Sequence, residues 1–543
     1  MVVPELRGWQ AARPRLARLA RTARPRLARL AQGARPGLTR AVQTVKPQVA
    51  RLASAAGPRP GRPRTWQYTA GAATAGLALA AGVVTAAGPW DSTGQRTAER
   101  DRAAALGRAG GADHGRGSDT SDVSSGTSSA PSAAPVLVGL GGTGTALTSA
   151  AGGPALATVL GPLLDDPALG VRRSAAVVDV ATGRRLYGKG ADDGFTPAST
   201  TKIATAVAAL SALGPDHRLT TRAALEPGTG RLVLIGGGDP TLTAHQAAGG
   251  WASLCTLADA TAAALAERGT HEVTLSYDTT LYAGSGLHPI GVNENLAEVS
   301  ALTADEGRTD DSAEGPAPRV ADPAADAARA FARFLDERGV RATADPGPAK
   351  ASGRARTVAA VSSPPLSDVV ERMLTNSDND IAEALARQTA AATGRRPDFA
   401  GGAQAVAAQL GRLGLPLGGA AFHDGSGLDR GDRLTADLLT ALLRTAAAPG
   451  HPELRPVLTG LPVAGFTGTL ADRYAAGGAD GAAGIVRAKT GTLTGVNTLA
   501  GTAVDKDGHL LAFAFLTDGT TDPAAAQGAL DATATALAGC GCG

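Results

Sequence analysis

A run of uncharged residues near the N-terminus divides this chain into parts that cannot share one folded core. No Asp, Glu, Lys or Arg occurs from Thr65 to Trp90. A stretch of this length can cross the hydrocarbon region of a bilayer as one helix, and Trp66 and Tyr68 lie where aromatic residues favour the membrane interface. We therefore predict a transmembrane helix over 66–90. A buried core helix and a cleaved signal peptide are the alternatives, although so long a basic segment before the run is not typical of a signal peptide.

The residues on the two sides of this run carry opposite net charge. Residues 1–65 contain 15 of the 52 basic residues and one of the 49 acidic residues, which leaves 37 basic and 48 acidic residues in the rest of the chain. The net charge is therefore +14 for this arm and −11 for the remainder. Because Lys and Arg beside a span favour the cytoplasmic side, we expect a basic cytoplasmic arm over 1–65 and a body outside the cytoplasm.

The arm contains a repeat. The segment ARPRLARLA at Ala12–Ala20 recurs at Ala23–Ala31, and Pro14 and Pro25 interrupt any long helix there. Each basic residue near an anionic lipid surface contributes about 1 kcal/mol to binding, so we expect the arm to contact lipid headgroups beside the span. A solvated, disordered arm is the alternative. The same charge would attract nucleic acid only without specificity.

The segment that follows the span has the composition of a linker. Residues 91–153 are rich in Ser, Gly, Thr, Asp and Ala, which predicts a flexible tether. Gly139, Gly141 and Gly144 match the dinucleotide-binding pattern GxGxxG. No strand and helix of the right length surround them, so we interpret the match as linker composition.

The three cysteines of the chain show no metal-ligand spacing, and we expect no metal and no cofactor.

Regular structure is expected from about Pro154. The alternation of apolar residues predicts a β-hairpin that begins with Ser174–Val180, and a second hairpin formed by Thr498–Val504 and Leu510–Leu516. A final helix is predicted over Pro523–Leu537. Strands from both ends of this region can share one central antiparallel sheet covered by helices.

Residues 213–364, in the middle of this region, have a different sequence pattern. Short strands such as Arg231–Ile235 and Val273–Tyr277 alternate with Gly-rich turns, which predicts an inserted domain over 213–364. The expected fold class is therefore α/β (α+β), with the main domain formed by residues 154–212 and 365–543.

Three short motifs occur in a fixed order along the main domain. They are Ser199-Thr200-Thr201-Lys202, Ser377-Asp378-Asn379 and Lys489-Thr490-Gly491-Thr492. Any one of them arises by chance in a chain of this length. All three in the order SxxK, SxN and KTG are typical of penicillin-binding proteins and class A β-lactamases.

The first motif has the chemistry of an activated nucleophile. Ser199 lies at the first turn of a predicted helix, and Lys202 follows on the same face, within reach of its hydroxyl. A desolvated lysine beside a second cation can lose its proton, and Lys489 is a candidate for that cation. Only six of the 52 basic residues are Lys, and two of them lie in these motifs, where Arg could not act as a base. We predict Ser199 as nucleophile and Lys202 as general base; surface lysines in coincidental triplets are the alternative.

The second motif is expected in a loop that reaches into a cleft. Ser377 would relay a proton to the leaving amine, and Asn379 would hydrogen-bond a substrate amide. A helix begins near Ile381, so a helix cap at Asn376 or Asp378 is the structural interpretation, and the two are compatible.

The third motif belongs to a predicted strand over Ile485–Thr492, which would pair with an extended substrate, and Gly491 is one of the predicted substrate-binding residues. We expect Lys489 and Thr490 to bind the terminal carboxylate of that substrate. The N–H groups of Ser199 and Thr492 would form an oxyanion hole.

These segments resemble the D-alanyl-D-alanine carboxypeptidase/endopeptidase group of low-molecular-mass penicillin-binding proteins over about 154–538. The resemblance rests on PASTTK, SDNDIAE, RAKTGTLTGVNTLAG, GGGDPTL (Gly236–Leu242) and DGSGLDR (Asp424–Arg430). It implies a transpeptidase-like, β-lactamase-like catalytic domain with an insertion between SxxK and SxN, in which Gly236–Leu242 are structural. Asp429 departs from the small hydroxyl residue usual in the family.

The spacing of the motifs is a second departure from the family pattern. The 178-residue step from Ser199 to Ser377 is short, which implies that a further inserted domain is reduced or missing.

The resemblance implies a serine-type D-Ala-D-Ala carboxypeptidase that acts on peptidoglycan stem peptides and also admits endopeptidase activity. It further implies that β-lactams acylate the protein at Ser199. It would be a single-pass cell-membrane protein with its catalytic domain outside. A β-lactamase is the alternative, although no motif resembles a deacylating glutamate. A non-catalytic β-lactam or cell-wall binding module is disfavoured by the intact motifs.

Overall fold

The computed structural model describes residues 152–246, 248–474 and 480–541. The predicted basic arm over 1–65, the predicted span over 66–90 and nearly all of the predicted linker over 91–153 lie outside these residues. Within the described ranges, no helix combines the length and the hydropathy that crossing a membrane requires.

Many helices of the described chain begin at a capping side chain. The helices are α1 (Gly152–Leu164), α2 (Thr201–Leu213), α3 (Leu254–Ala266), α4 (Pro323–Glu337), α5 (Leu366–Asn376), α6 (Asn379–Ala392), α7 (Phe399–Arg412), α8 (Ala436–Ala447), α9 (Arg455–Thr459) and α10 (Pro523–Ala538). Asp322, Asp398 and Asp522 accept hydrogen bonds from first-turn amides of α4, α7 and α10, which fixes where these helices start. The last of them is the predicted C-terminal helix.

The strands form two sheets. They are β1 (Arg172–Asp179), β2 (Arg185–Lys189), β3 (Thr220–Leu225), β4 (Arg231–Ile235), β5 (Glu272–Asp278), β6 (Arg341–Ala342), β7 (Gly347–Pro348), β8 (Arg356–Ser362), β9 (Arg487–Leu493), β10 (Val496–Val504) and β11 (Leu510–Asp518). The first sheet has the order β2-β1-β11-β10-β9. The second has the order β6-β5-β4-β3-β8, with β7 paired to β5.

The first sheet joins strands from the two ends of the described region, as the hairpin patterns predict. All its pairs are antiparallel, and β1 lies beside β11 with Ala175 opposite Phe515. Side chains alternate between two faces, so Val177 and Phe513 pack toward α1 and α10, whereas Ala512 and Ala514 face the opposite core that α2 and α8 share. The predicted central antiparallel sheet covered by helices is confirmed, and β9 lies at its edge.

The second sheet is mixed. Strand β3 pairs antiparallel with β4 and β8, but β5 pairs parallel with β4, β6 and β7. Leu257 of α3 and Phe331 of α4 contribute to the core that covers this sheet. All of these strands lie between α2 and α5, within the range for which an inserted domain is predicted. The boundaries 213 and 364 of that domain stay a prediction.

The glycine motif of this second region packs against the helix that follows the SxN motif. A Cβ on Gly236 would lie 2.4 Å from the carbonyl oxygen of Ala301, and one on Gly237 would lie 2.0 Å from that of Thr220. Only glycine fits so close to neighbouring backbone. Gln388 of α6 donates to the Gly237 carbonyl at 2.8 Å. The GGGDPTL segment is therefore in a structural position that links the second sheet to α6.

Candidate active site

Ser199 lies in a short 3₁₀ turn, Ala198–Thr200, that leads directly into α2. Ala198 has a φ of +48°, a left-handed conformation that costs energy in a non-glycine residue and is found most often at functional sites. The turn is held from the sheet, because Thr498 of β10 donates to the Pro197 carbonyl at 2.9 Å. Gly491 of β9 has no room for a Cβ, which would lie 2.6 Å from the same carbonyl oxygen. The motif glycine thus lets β9 pack against the turn that carries Ser199.

Lys202 lies one helical turn after Ser199 and is wholly buried. Its Nζ donates to Ser199 Oγ at 2.9 Å, to Asn379 Oδ1 at 2.7 Å and to the carbonyl oxygen of Ser426 at 2.8 Å. Three acceptors match the three protons of an ammonium group. The structure therefore brings together the predicted nucleophile, the predicted base and the asparagine of the second motif.

The pKa of Lys202 is lowered to about 8, because burial disfavours its charged form. Four nearby carboxylates act in the opposite direction and raise it: Asp424, Glu383, Asp378 and Asp380. The amine therefore loses its proton within an accessible pH range. This is the property that a general base for Ser199 needs.

The second motif occupies the junction of α5 and α6. Ser377 ends α5 in a left-handed conformation, with a φ of +60°. Asp378 is the N-cap of α6, since its carboxylate accepts from the Ile381 amide at 2.9 Å, which confirms the cap predicted there. Asn379 bridges two regions: its Oδ1 accepts from Lys202, and its Nδ2 donates to the Asn295 carbonyl at 2.8 Å.

The third motif lies on the edge strand β9. Lys489 is wholly buried and donates to the Thr490 carbonyl at 2.9 Å. Burial, together with the positive charges of Lys202 and Arg473, holds the pKa of Lys489 well below its ordinary value. Thr490 donates to Thr469 Oγ1 at 2.9 Å.

A cleft of about 270 Å³ runs between the second and third motifs. Ser199, Ser377, Asn379 and Thr492 line it, and all but the exposed Thr492 are half-buried. Lys202 lies beneath its floor. Among the described residues, the Ser377 hydroxyl has no hydrogen bond to Ser199 or Lys202, so the structure places it at the cleft without linking it directly to the predicted base.

The other wall of the cleft comes from the region of the second sheet. Arg308 and Arg319 line it and are nearly buried by ion pairs. Arg308 pairs with Glu306 at 2.9 Å, and Arg319 pairs with Asp380 at 3.1 Å. No sequence pattern identified these arginines, because their position depends on how the two sheets pack.

Three buried groups beneath Lys202 were not singled out as site residues from the sequence. Glu383 of α6 accepts from the Ser426 amide at 2.8 Å, and Asp424 accepts from His288 Nε2 at 3.1 Å. The carbonyl oxygen of Ser426 is itself a ligand of Lys202. SDNDIAE, which ends at Glu383, and DGSG at 424–427 were the available signals, and they indicated family motifs without a contact.

Two clusters of buried His, Asp and Glu side chains bring potential metal-ligand atoms close together. His288, Glu383 and Asp424 form one set, and the other is Glu306, Asp378 and Asp380; in each, the nearest ligand atoms lie within 4.8 Å of one another. Hydrogen bonds to main-chain amides and ion pairs with arginine already engage these carboxylates. We therefore assign no metal to either set.

Asp429, the departure from the family pattern, lies at the rim of this region. Its amide donates to Asp424 at 2.6 Å, and its carboxylate accepts from the Gly431 amide at 2.7 Å. An aspartate that closes a turn on its own backbone replaces the hydroxyl residue without contacting Ser199 or Lys202.

The sequence matches a known family over most of its length. Residues 156–318 and 313–538 match the D-Ala-D-Ala carboxypeptidase 3 (S13) family. Carboxypeptidase DacB of Mycolicibacterium smegmatis is 37% identical over 404 residues, which cover 72% of this chain and 85% of that protein. A D-alanyl-D-alanine carboxypeptidase of Actinomadura sp. is 30% identical over 451 residues, which cover 67% of this chain and 80% of that protein.

A solved structure shares the fold. Penicillin binding protein 4 (dacB) from Haemophilus influenzae is 22% identical and has a TM-score of 0.56, covering 68% of this chain and 94% of its own. Its complex with a β-lactam has a TM-score of 0.53. At this identity the likeness shows the fold, a mixed α/β architecture with antiparallel pairing in its main sheet. Together with the family match, it shows that the chain belongs to the D-Ala-D-Ala carboxypeptidase 3 (S13) family of serine peptidases, as its motifs predict.

Proposed function

We propose that this D-Ala-D-Ala carboxypeptidase removes the terminal D-Ala of peptidoglycan stem peptides through an acyl-enzyme on Ser199. One observation carries the proposal: the buried Lys202 amine lies 2.9 Å from the Ser199 hydroxyl oxygen. Because its pKa is lowered to about 8, Lys202 can accept the serine proton.

The reaction proceeds in two steps. Ser199 Oγ attacks the carbonyl carbon of the penultimate D-Ala while its proton passes to Lys202 Nζ. The peptide C–N bond then breaks, the proton that Lys202 took from Ser199 passes to the leaving amine with Ser377 as the relay, and D-Ala departs. Water hydrolyses the ester, restores Ser199 and releases the shortened peptide.

Substrate binding uses the exposed edge of the first sheet. An extended peptide adds to β9 as a further strand, a mode in which main-chain hydrogen bonds give affinity. Lys489 and Thr490 bind its terminal carboxylate, and Asn379 binds a substrate amide. The amides of Ser199 and Thr492 stabilise the oxyanion. Gly491 lets this strand lie close to the nucleophile.

β-Lactams acylate the same serine, because their strained amide presents a carbonyl and a carboxylate in the arrangement of the D-Ala-D-Ala terminus. The intact mass of the protein after incubation with penicillin tests this. A persistent adduct on Ser199 supports the carboxypeptidase, rapid hydrolysis of penicillin indicates a β-lactamase, and a lack of any adduct indicates a binding module.

Ser199→Ala is the direct test. The variant should lose both penicillin labelling and peptidase activity while its melting temperature stays nearly unchanged, because the half-buried hydroxyl has no packing role. Ser211→Ala, on the helix α2 that follows Ser199, is the matched control and should keep both activities. Labelling that persists in Ser199→Ala, for instance at Ser426, would disprove the assignment.

Endopeptidase activity uses the same chemistry on a cross-linked peptide, in which the leaving amine belongs to a second stem peptide. Turnover on a defined pentapeptide and on a purified cross-linked dimer gives the ratio of the two activities.

The predicted arm and span bear on location. We propose a single-pass membrane protein whose basic arm lies on anionic lipid at the cytoplasmic face and whose catalytic domain lies outside. The charge-free run, the charge of the arm and the linker composition support this. A protein that begins at Gly152 should turn over a small D-Ala-D-Ala peptide at the rate of the full chain, while only the full chain sediments with membranes. Loss of folding in the shorter protein would make the N-terminal region part of the catalytic unit.

A further inference from the structure

Glu383 lies in the second turn of α6 and is 1% exposed. Its carboxylate accepts from the Ser426 amide at 2.8 Å and from the Gly425 amide at 3.1 Å. These contacts fix the turn formed by residues 424–427 from one side. The mechanism proposed above gives Glu383 no role, although the side chain is buried, ionisable and beside the reacting groups.

The same turn meets the general base on its other side. The carbonyl oxygen of Ser426 accepts from Lys202 Nζ at 2.8 Å, and the next amide, that of Gly427, donates to Asp424 at 2.6 Å. Asp424 therefore bonds the peptide unit whose carbonyl contacts Lys202, and Glu383 bonds the two peptide units that precede it in the same turn. A displacement of the turn would move an acceptor of the Lys202 amine.

Glu383 also acts on Lys202 through its charge. A negative charge beside an amine favours the ammonium form, so Glu383 opposes the loss of the Lys202 proton. Burial raises the pKa of Glu383 to about 7, and the charge of Asp424 adds to this. Since Lys202 titrates near pH 8, Glu383 is mainly ionised over the range where Lys202 becomes neutral.

Other charged groups face this pair from each surrounding element. They are Arg387, Asp378 and Asp380 on α6, Asp424, Asp429 and Asp432 on the segment after α7, His288 from the region of the second sheet, and Lys489 on β9. Asp424 also raises the pKa of Lys202, but it bonds the Gly427 amide and the His288 ring, whereas Glu383 bonds the Gly425 and Ser426 amides. It can therefore be separated from its neighbours by substitution.

We propose that Glu383 is a positioning residue for the general base: it holds the 424–427 turn against Lys202 and places a negative charge beside the Lys202 amine. The inference rests on the proposed function, since it assigns Glu383 a task within the acylation of Ser199. Glu383 contacts neither Ser199 nor the cleft, so it acts through Lys202.

Two substitutions distinguish the effect of the hydrogen bonds that Glu383 accepts from the effect of its negative charge. Glu383→Gln keeps an oxygen that can accept from the two amides but removes the charge. The rate constant for penicillin acylation rises with pH as Lys202 loses its proton, and in this variant that rise should move to lower pH by about one unit. The rate at high pH should stay within a few-fold of wild type. Glu383→Asp keeps the charge, but its shorter side chain draws the carboxylate away from the two amides. The acylation rate at high pH should therefore fall on the order of 100-fold. The pH at which the rate rises should stay near its wild-type value.

Glu267→Gln, which changes an exposed carboxylate, is the matched control and should alter neither quantity. The inference is overturned if Glu383→Gln leaves the titration where it is, or if both Glu383 variants lower the rate equally at every pH, as a merely structural role would. Should the Gln variant not fold, the Asp variant still decides, because an unchanged high-pH rate contradicts the positioning role. If the wild-type protein is not acylated at Ser199, the proposed function fails instead, and that outcome is seen before any Glu383 variant is made.

Discussion

Lys202 and Lys489 are both wholly buried and belong to one site, yet their surroundings have opposite charge. Lys202 has three hydrogen-bond acceptors and several carboxylates nearby, Glu383 and Asp424 among them. Lys489 donates to the Thr490 carbonyl, and the charges that act on it are those of Lys202 and Arg473.

The difference teaches that burial alone does not set the charge of a lysine. Burial lowers both pKa values, but carboxylates limit the change at Lys202, whose pKa stays at about 8, whereas cations add to it at Lys489. The carboxylates therefore help Lys202 to keep its proton, while the cations near Lys489 favour the loss of its own. A substrate carboxylate beside Lys489 would favour its charged form, and that new charge would then help Lys202 to lose its proton. Lys489 fits the role of second cation once substrate is bound.

The largest expected effect comes from Lys202→Arg. A guanidinium stays charged at any accessible pH, so acylation of Ser199 should stop almost completely. The second-order rate constant for penicillin acylation measures this. Lys189→Arg, at a partly exposed lysine paired with Asp165, is the control and should acylate normally.

Lys489→Arg should be milder. The positive charge beside a bound substrate carboxylate is kept, but the charge-assisted hydrogen bond to that carboxylate is misplaced, at a cost of about 1 to 3 kcal/mol in transition-state stabilisation. The loss should appear in kcat/KM for a D-Ala-D-Ala peptide. If Lys202→Arg proved the milder of the two variants, the base would have to be another group and the contrast between the lysines would fail.

The pH dependence of acylation sharpens the comparison. In the proposed mechanism neutral Lys202 is the active form, so the rate should rise as pH increases through about 8. A permanent cation in Lys489→Arg lowers the pKa of Lys202 and should move this rise to lower pH by about one unit. Lys489→Met should move it less, because burial and nearby positive charges hold the pKa of Lys489 well below its ordinary value and so reduce the charge that this substitution removes. If Lys489 already carried its charge in the free enzyme, Lys489→Arg would leave the rise in place and Lys489→Met would move it to higher pH.

The smallest effect is expected on stability. Lys489→Met removes a buried amine that has cationic neighbours, so the free energy of unfolding should change by less than about 1 kcal/mol. Lys202→Met, the comparison variant, leaves Asn379 Oδ1 and the Ser426 carbonyl without their donor and should destabilise by about 1 to 3 kcal/mol. Urea unfolding of both proteins measures the difference. Equal destabilisation would mean that the two surroundings are energetically alike.

The parts of the fold that were predictable are those with local patterns. Alternating apolar residues identified the strands β1, β10 and β11, and the antiparallel sheet that joins them is confirmed. The parallel pairing of β5 was not predicted, because a single strand carries no sign of its partner's direction. The arm, the span and the boundaries of the inserted domain stay predictions.

The sequence by itself determined which residues we predict to carry the chemistry: the order of three motifs and the sparing use of lysine singled out Ser199, Lys202 and Lys489. Only the tertiary structure decided how those groups behave. The carbonyl of Ser426 has no residue-type signature, and Glu383 lies 181 positions from Lys202 along the chain. A motif is local, but the protonation of a buried amine depends on desolvation and on charges that only folding brings within a few ångströms.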